Sequence, residues 1–501
     1  MINRLLTYLR GSEDRPVPGP STVPKWPLTE VLTAWSNDRR DVWTLEDACR
    51  GTFIAGSNGS GKSTGPGKHL AERFLLHGFG GLVLCAKADE AAVWRQLADR
   101  TGRTRSTLYF GSDPRWKLNF LHYEATREGG GGGLTENIVN LFCRVTDIVM
   151  QKNGTRPNEE YWQRAMKQLI RNAIDLLLMA GSTVSLLEIV QIINSAPQTQ
   201  TQATDKHWQQ CSPLYSYLLA GQKVANANPA NQNAYQLAGN FWLSEFPNLA
   251  APTRSGVVST FTTLADALLR DPFRDRFCTE TTFVPEMLLQ GALCVVDLDI
   301  KRFGEVGQYA QVLLKYLVQQ AVERRRDLGQ ETARPIFIWA DECQNFIIPY
   351  DAQFQTTARS SRCCSVYISQ NLPSLYAELG GESAAKSRVD SQLGNLVTKI
   401  ICQQGDPVTN HWAAEMIGKT RQVLINYGNS QSGGLGTMPS RNSSSGASET
   451  IDYDCPPREF QLSRTGGQRH DYIVDAVIYG GGRIWSNGKT WMKASFKQHI
   501  N

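Results

Sequence analysis

No stretch of the chain approaches the roughly 18 uninterrupted apolar residues of a membrane span. The opening segment, Met1 to Pro16, is too short for a secretory signal and reads as a frayed terminal helix or a small amphipathic membrane contact. The eleven cysteines are odd in number and scattered, without a C-x-x-C pair. Only Cys363 and Cys364 are adjacent, and sequence neighbours rarely bridge. A disulfide framework and a zinc site are therefore excluded, and buried thiols in a reducing cytosol are expected. There is no internal repeat and no base-reading motif, and a formal charge of +5 is too small to establish nucleic-acid binding. With 501 residues, 41% hydrophobic and 20% charged, the chain has room for two or three domains with sizeable cores.

What is present is a phosphate-binding pattern. Gly56-Ser57-Asn58-Gly59-Ser60-Gly61-Lys62-Ser63, continued by Thr64, fits G-x-x-x-x-G-K-[ST]. An apolar run, Thr52 to Ala55, leads in, and a helical pattern, Lys68 to Leu76, leads out. Glycines let successive N–H groups turn inward around phosphates, and the helix N-terminus adds its positive end. Lys62 is expected on the β- and γ-phosphates of ATP, and Ser63 on Mg²⁺. Pro66 falls where the first helical N–H groups lack intrahelical partners, so it costs little.

A second pattern, Pro335 to Glu342 (PIFIWADE), ends an apolar strand in two carboxylates. Asp341 suits the metal shell, and Glu342 suits polarisation of the attacking water. On the following strand Gln370 sits just past the C-terminal end, where ligands of parallel sheets gather, and can sense the γ-phosphate or hold the water. Arg359 and Arg362 precede that strand; either could act in a neighbouring subunit as a positive finger.

Short continuous apolar runs at Leu82–Cys85, Leu108–Phe110, Leu293–Leu298, Ile336–Ala340, Val366–Ser369 and Val397–Cys402 read as strands covered on both faces. The expected fold is α/β, with a mostly parallel sheet, an inserted all-α domain and a small C-terminal β-hairpin element. The boundaries read as an N-terminal segment, 1–50; a nucleotide-binding domain, 51–128 and 280–501; and an all-α insertion, 129–279. Apolar stripes from Ile138 to Val149 and from Trp162 to Leu177 predict packed helices; the Gln-rich stretch Gln198 to Gln236 predicts loop and broken helix. The Ser/Gly-rich residues 429–449 read as a flexible loop. Residues Arg483–Ser486 and Lys489–Met492 read as a hairpin about Asn487-Gly488. Arg324-Arg325-Arg326, the densest basic run, closes a predicted helix, where cations complement the dipole.

Taken together, the phosphate loop, the long helical insertion, FIWADECQNF, ARSSR-x5-ISQNL, Gly111–Leu121 and the ending PREFQLSRTGG resemble the TraG/TraD-like coupling ATPases of type IV secretion and conjugation, within the FtsK/HerA group of P-loop motors. The resemblance implies a RecA-like motor domain in a homo-hexameric ring with single- or double-stranded DNA in its channel, ATP and Mg²⁺ between subunits, and relaxase, accessory or secretion-channel partners. It assigns Lys62 and Ser63 to the phosphates, Asp341 and Glu342 to metal and water, Gln370 to the sensor position and Arg359 to the finger, with Arg362 a nearby substitute. Two departures stand out. Relatives usually carry N-terminal membrane helices, which this sequence lacks, so a cytoplasmic protein, peripheral at the inner membrane through a partner, is expected. The family's D-P-K-G-E is here Cys85-Ala86-Lys87-Ala88-Asp89, which keeps the lysine and loses the leading acid. The alternatives are a cytosolic HerA-like DNA-processing or defence ATPase, and an ATP-switched receptor or assembly platform without sustained turnover.

Overall fold

Each of the continuous apolar runs becomes a strand. In the computed structural model, which describes residues 24–150, 159–325, 330–378, 383–432 and 440–498, the strands are β1 (Val31–Ala34), β2 (Val42–Thr44), β3 (Thr52–Ala55), β4 (Gly80–Leu84), β5 (Thr107–Phe110), β6 (Leu293–Val296), β7 (Ile336–Ala340), β8 (Cys363–Ser369), β9 (Thr398–Ile401), β10 (Lys419–Ser432), β11 (Ser440–Tyr453), β12 (Ile473–Gly480) and β13 (Trp491–Lys497). Nine of them form one sheet in the order β13-β12-β9-β3-β8-β7-β4-β6-β5. From β9 to β5 every pairing is parallel; β12 and β13 join antiparallel at one edge. The expected α/β class with small antiparallel strands at the C-terminal end is the fold observed.

Side chains alternate across the sheet with the two-residue period of a strand. Phe53, Ala55, Leu82, Leu84, Ile336, Ile338 and Ala340 enter one apolar layer, which runs on into the helices of the insertion. Ile54, Val83, Phe337 and Trp339 enter the other, with Leu70 and Phe74 of the helix Lys68–Leu76. Two covered faces leave no polar alternation for the sequence to show, which is why these runs are continuous.

Between 135 and 268 the regular elements of the described residues are all helices. They include Thr135–Met150, Glu159–Met179, Leu186–Asn194, Pro213–Ala227, Gln232–Asn240 and Ala251–Leu268. Leu169, Ile170, Ala173, Ile174 and Leu177 pack against Phe142, Leu214, Trp242 and Phe261 in one buried cluster. The side chains of Val145, Ile148, Val149 and Trp162, also expected in these stripes, lie outside the described residues. The Gln-rich stretch is more helical than its composition suggests. Caps set its segments: Thr199, Asp205 and Ser212 each accept a backbone N–H in the first turn of a helix.

Two C-terminal expectations are corrected. The Ser/Gly-rich stretch is not simply a loop: Lys419–Ser432 and Ser440–Tyr453 pair residue by residue as a two-stranded ribbon. Backbone ladder bonds need no apolar pattern, so composition gave no sign of it. Arg483–Ser486 forms no strand; β13 pairs with β12, in register from Tyr479↔Trp491 to Ile473↔Lys497. Arg483 is instead drawn to Asp47 (2.8 Å) and Ser486 to Asp41 (2.6 Å), which dock this turn on the β1–β2 hairpin region. In the basic run, Arg324 contacts Gln320 and Tyr123, and the buried Arg325 donates to the Arg334 carbonyl (2.8 Å). Arg326 lies outside the described residues.

A fully buried ion pair ties the layer behind the site together. Lys315, on the helix Ile300–Glu323, meets Asp351 near the start of the helix Pro349–Ala358, and both side chains are wholly inaccessible. Asp351 also accepts from Gln319 (2.8 Å) and the Ile348 N–H (2.9 Å), and Lys315 donates to the Phe346 carbonyl. Removing one partner leaves an uncompensated buried charge, so Asp351→Ala is expected to lower stability by about 3–5 kcal/mol. The double variant Lys315→Met with Asp351→Leu is expected to lose much less. Urea unfolding of the three proteins distinguishes a charge left unpaired from a simple loss of packing.

Candidate functional site

β3 delivers the loop Gly56–Thr64 to the C-terminal edge of the sheet. Gly59 (φ +75°) and Gly61 (φ +80°) take left-handed conformations, and a Cβ on Gly61 would stand 2.4 Å from Val474 Cγ2. The following turn, Ser63–Gly67, is a π-helical turn, with the Gly67 N–H on the Lys62 carbonyl (2.9 Å). That wide turn houses Pro66, whose missing N–H leaves nothing unpaired. A cavity of about 410 Å³ opens over the loop, lined by Asn58–Thr64, Lys87, Thr465–Gly467 and Gln498. Its C-terminal wall is held by Gln498, which donates to Thr64 Oγ1 (2.6 Å) and accepts from the Gly467 N–H (2.7 Å).

β7 carries the two acids to the same edge. Ser63 Oγ donates to Asp341 Oδ2 at 2.6 Å. The hydroxyl and carboxylate form a small, hard oxygen set of the kind Mg²⁺ takes beside phosphates. Burial pushes the Asp341 carboxyl above its ordinary value, against the lowering effect of the Ser63 hydrogen bond. Burial, and then the Asp341 charge, push nearby Glu90 up to about 8. Bound positive charge at this point would relieve both acids.

Glu342 differs from its neighbour. Its backbone is left-handed (φ +50°), a costly conformation for a residue with a Cβ and one that clusters at functional sites. Its carboxylate accepts from Lys87 Nζ (2.9 Å), Gln344 Nε2 (3.0 Å) and Gln370 Nε2 (3.3 Å). Burial works to raise its pKa, but the Lys87 and Gln344 hydrogen bonds and the Lys87 and Lys62 charges outweigh it and hold Glu342 below the ordinary value. These contacts favour the ionised carboxylate and fix its place at the edge of the phosphate cavity. Gln370 follows β8 directly, and its carbonyl is fixed by Gln404 Nε2 (2.7 Å).

The structure brings Gly56–Thr64, Asp341, Glu342 and Gln370 together and leaves both arginines away from them. Arg359 precedes β8 and is paired with Glu46 at 2.7 Å, with 57% of its side chain exposed. β8 is seven residues long, which puts about 20 Å between its two ends. Arg359 therefore cannot reach the phosphate loop of its own chain. Arg362 is buried, with its guanidinium on the Trp26 and Ala333 carbonyls, so it is built into the fold. Sequence reasoning missed Lys87 as a partner of Glu342, and it missed Gln344, Thr465–Gly467 and Gln498. The only sequence signals were the retained lysine of Cys85–Asp89 and the R-T-G-G ending.

Residues 335–453, which include both acids, Gln370, both arginines and the ribbon, match the protein family described as the TraM recognition site of TraD and TraG. Among solved structures, the bacterial conjugative coupling protein TrwBdeltaN70 in its unbound monoclinic form superposes with a TM-score of 0.56 at 14% identity, covering 94% of this chain and 89% of that one. The chain has the fold of a conjugative coupling protein. Plasmid coupling protein TrwB in complex with a non-hydrolysable GTP analogue gives a TM-score of 0.57 at 12% identity over 96% of each chain. The same protein in complex with ADP and Mg²⁺ gives 0.56 at 13% identity, over 94% of this chain and 89% of that one. No curated protein matches by sequence alone. Among the described residues, no helix of this coupling-protein fold is long and apolar enough to cross a membrane.

Proposed function

We propose that the chain is an ATP-hydrolysing, ring-forming DNA translocase of the conjugative coupling class, which brings DNA or a protein–DNA substrate to a transfer channel. Residues 51–128 and 280–501 act as the motor, and 129–279 as the all-α domain that meets cargo or accessory proteins. The observation that carries this reading is the ionised, immobilised Glu342 beside a phosphate loop whose Ser63 is already bonded to Asp341. A passive nucleotide switch has no use for a buried carboxylate held ready to take a proton.

In this reading Gly56–Thr64 cradle the phosphates and Lys62 neutralises the β- and γ-groups. Ser63 and Asp341 would hold Mg²⁺, which would supply Lewis-acid stabilisation of negative charge on the phosphates. Glu342 takes the proton of the attacking water, Gln370 orients that water, and Arg359 enters from the neighbouring subunit of a homo-hexamer. Two solved structures of TrwB carry ADP with Mg²⁺ and a non-hydrolysable ATP analogue, which supports the same ligands here. DNA would be gripped by its backbone, as a sequence-indifferent motor requires. The protein works in the cytoplasm, reaching the inner membrane through a partner.

Steady-state ATP turnover across protein concentration, with and without single- and double-stranded DNA, tests this. The rate per subunit is expected to climb with protein concentration, to rise with DNA and to lose that stimulation as salt is raised. A flat background rate under every condition, with nucleotide still bound, would replace the motor with an ATP-switched platform.

A further inference from the structure

β4 lies next to β7 in the sheet, so the segment leaving β4 runs beside Asp341 and Glu342. That segment is held with unusual care. The wholly buried Gln311 accepts from the Cys85 N–H (2.6 Å) and donates to the Cys85 carbonyl (2.9 Å) and the Leu298 carbonyl (2.9 Å). One residue on, Glu90 Oε2 accepts from the Ala86 N–H (2.7 Å). Lys87 comes next, fixed from behind, with its ammonium 2.9 Å from Glu342 Oε1. It lines the phosphate cavity on one side and a second cavity of about 300 Å³ beside Ser63, Glu90 and Asp341 on the other. Lys87 thus lies at the boundary of the two cavities.

We propose that Lys87 is a positioning residue for hydrolysis: it fixes the Glu342 carboxylate at the edge of the phosphate cavity, in the orientation from which it takes the proton of water. The proposal rests on the hydrolase reading above. Gln344 and Gln370 also touch the carboxylate, but they are neutral amides and form the longer bonds; Lys87 is the charged and shortest contact. The exit of β4 itself is pinned through the peptide groups of Cys85 by Gln311.

The test compares Lys87→Met and Lys87→Arg with the wild type, reading steady-state kinetics and, separately, the affinity for a fluorescent ATP analogue. Misplacing a reacting group by about 1 Å costs on the order of 10²-fold. Lys87→Met is accordingly expected to lower kcat by about 10- to 100-fold, with KM and analogue affinity within about twofold of wild type. Lys87→Arg is expected to recover most of kcat, since it restores a cation at the carboxylate. An unchanged kcat in Lys87→Met would overturn the proposal. So would a tenfold loss of analogue affinity, which would make Lys87 a phosphate ligand, or an arginine variant no better than the methionine one. Absence of turnover in the wild type would instead remove the hydrolase reading itself.

Discussion

Glu342→Gln is expected to bind ATP and Mg²⁺ normally and to leave the ATP uncleaved. The substitution keeps the volume of the side chain, and an amide oxygen can still accept from Lys87 or Gln370 in the geometry seen here. What it loses is proton acceptance. General-base contributions are typically about 10²–10⁴-fold, and kcat is expected to fall by that range. Binding should survive because the groups assigned to the phosphates and metal, Lys62, Ser63 and Asp341, are untouched. Single-turnover cleavage and equilibrium binding of labelled ATP, measured on one preparation, separate the two effects. A cleavage rate within about tenfold of wild type would show that the proton goes elsewhere.

Arg359→Ala carries the second large effect. Three features of this residue fit a role in trans. It is exposed, it lies at the opposite end of β8 from Gln370, and its partner, Glu46, is a surface carboxylate that it can exchange for phosphate. An exposed ion pair of this kind contributes at most about 1 kcal/mol, so its loss should leave the fold intact. A trans-acting arginine, by contrast, accelerates phosphoryl transfer by about 10³–10⁵-fold. Arg359→Ala should therefore abolish turnover, with an unchanged unfolding midpoint and unchanged ATP binding. Arg362→Ala should do the reverse. It empties a buried site on the Trp26 and Ala333 carbonyls, so instability is the expected primary effect. If Arg362→Ala were stable and inactive while Arg359→Ala stayed active, the assignment would have to be exchanged.

The parts of the site that could be read in the sequence are those carried by one strand and the turn after it. The phosphate loop follows β3, Asp341 and Glu342 end β7, and Gln370 ends β8. In each case an apolar run and its polar terminus are contiguous, and the parallel topology gathers the strand ends at one edge. The remaining parts depend on contacts across the chain. Gln498 meets Thr64 across 434 residues, and Lys87 meets Glu342 across 255. No local pattern foretells either. The phosphate cavity consequently has a C-terminal wall, Thr465–Gly467, that the motif alone did not suggest. The two arginines illustrate the converse limit. Arg359 and Arg362 are three residues apart in one motif, and only burial tells the surface residue from the structural one. The ribbon of β10 and β11 shows how a Ser/Gly-rich composition conceals regular pairing, since its ladder is made by the backbone.

The claim that hydrolysis takes place between subunits is tested most directly by mixing two inactive proteins, Glu342→Gln and Arg359→Ala. Each alone lacks one half of every site. In a mixed ring, a site can combine the intact Glu342 of one subunit with the intact Arg359 of its neighbour. With random assembly at equal amounts and head-to-tail contacts, about a quarter of the sites are complete. The account predicts that ATP turnover reappears on mixing, at up to about that fraction of the wild-type rate. A mixture as inactive as its two components, under conditions where wild-type subunits assemble and turn over ATP, would contradict it.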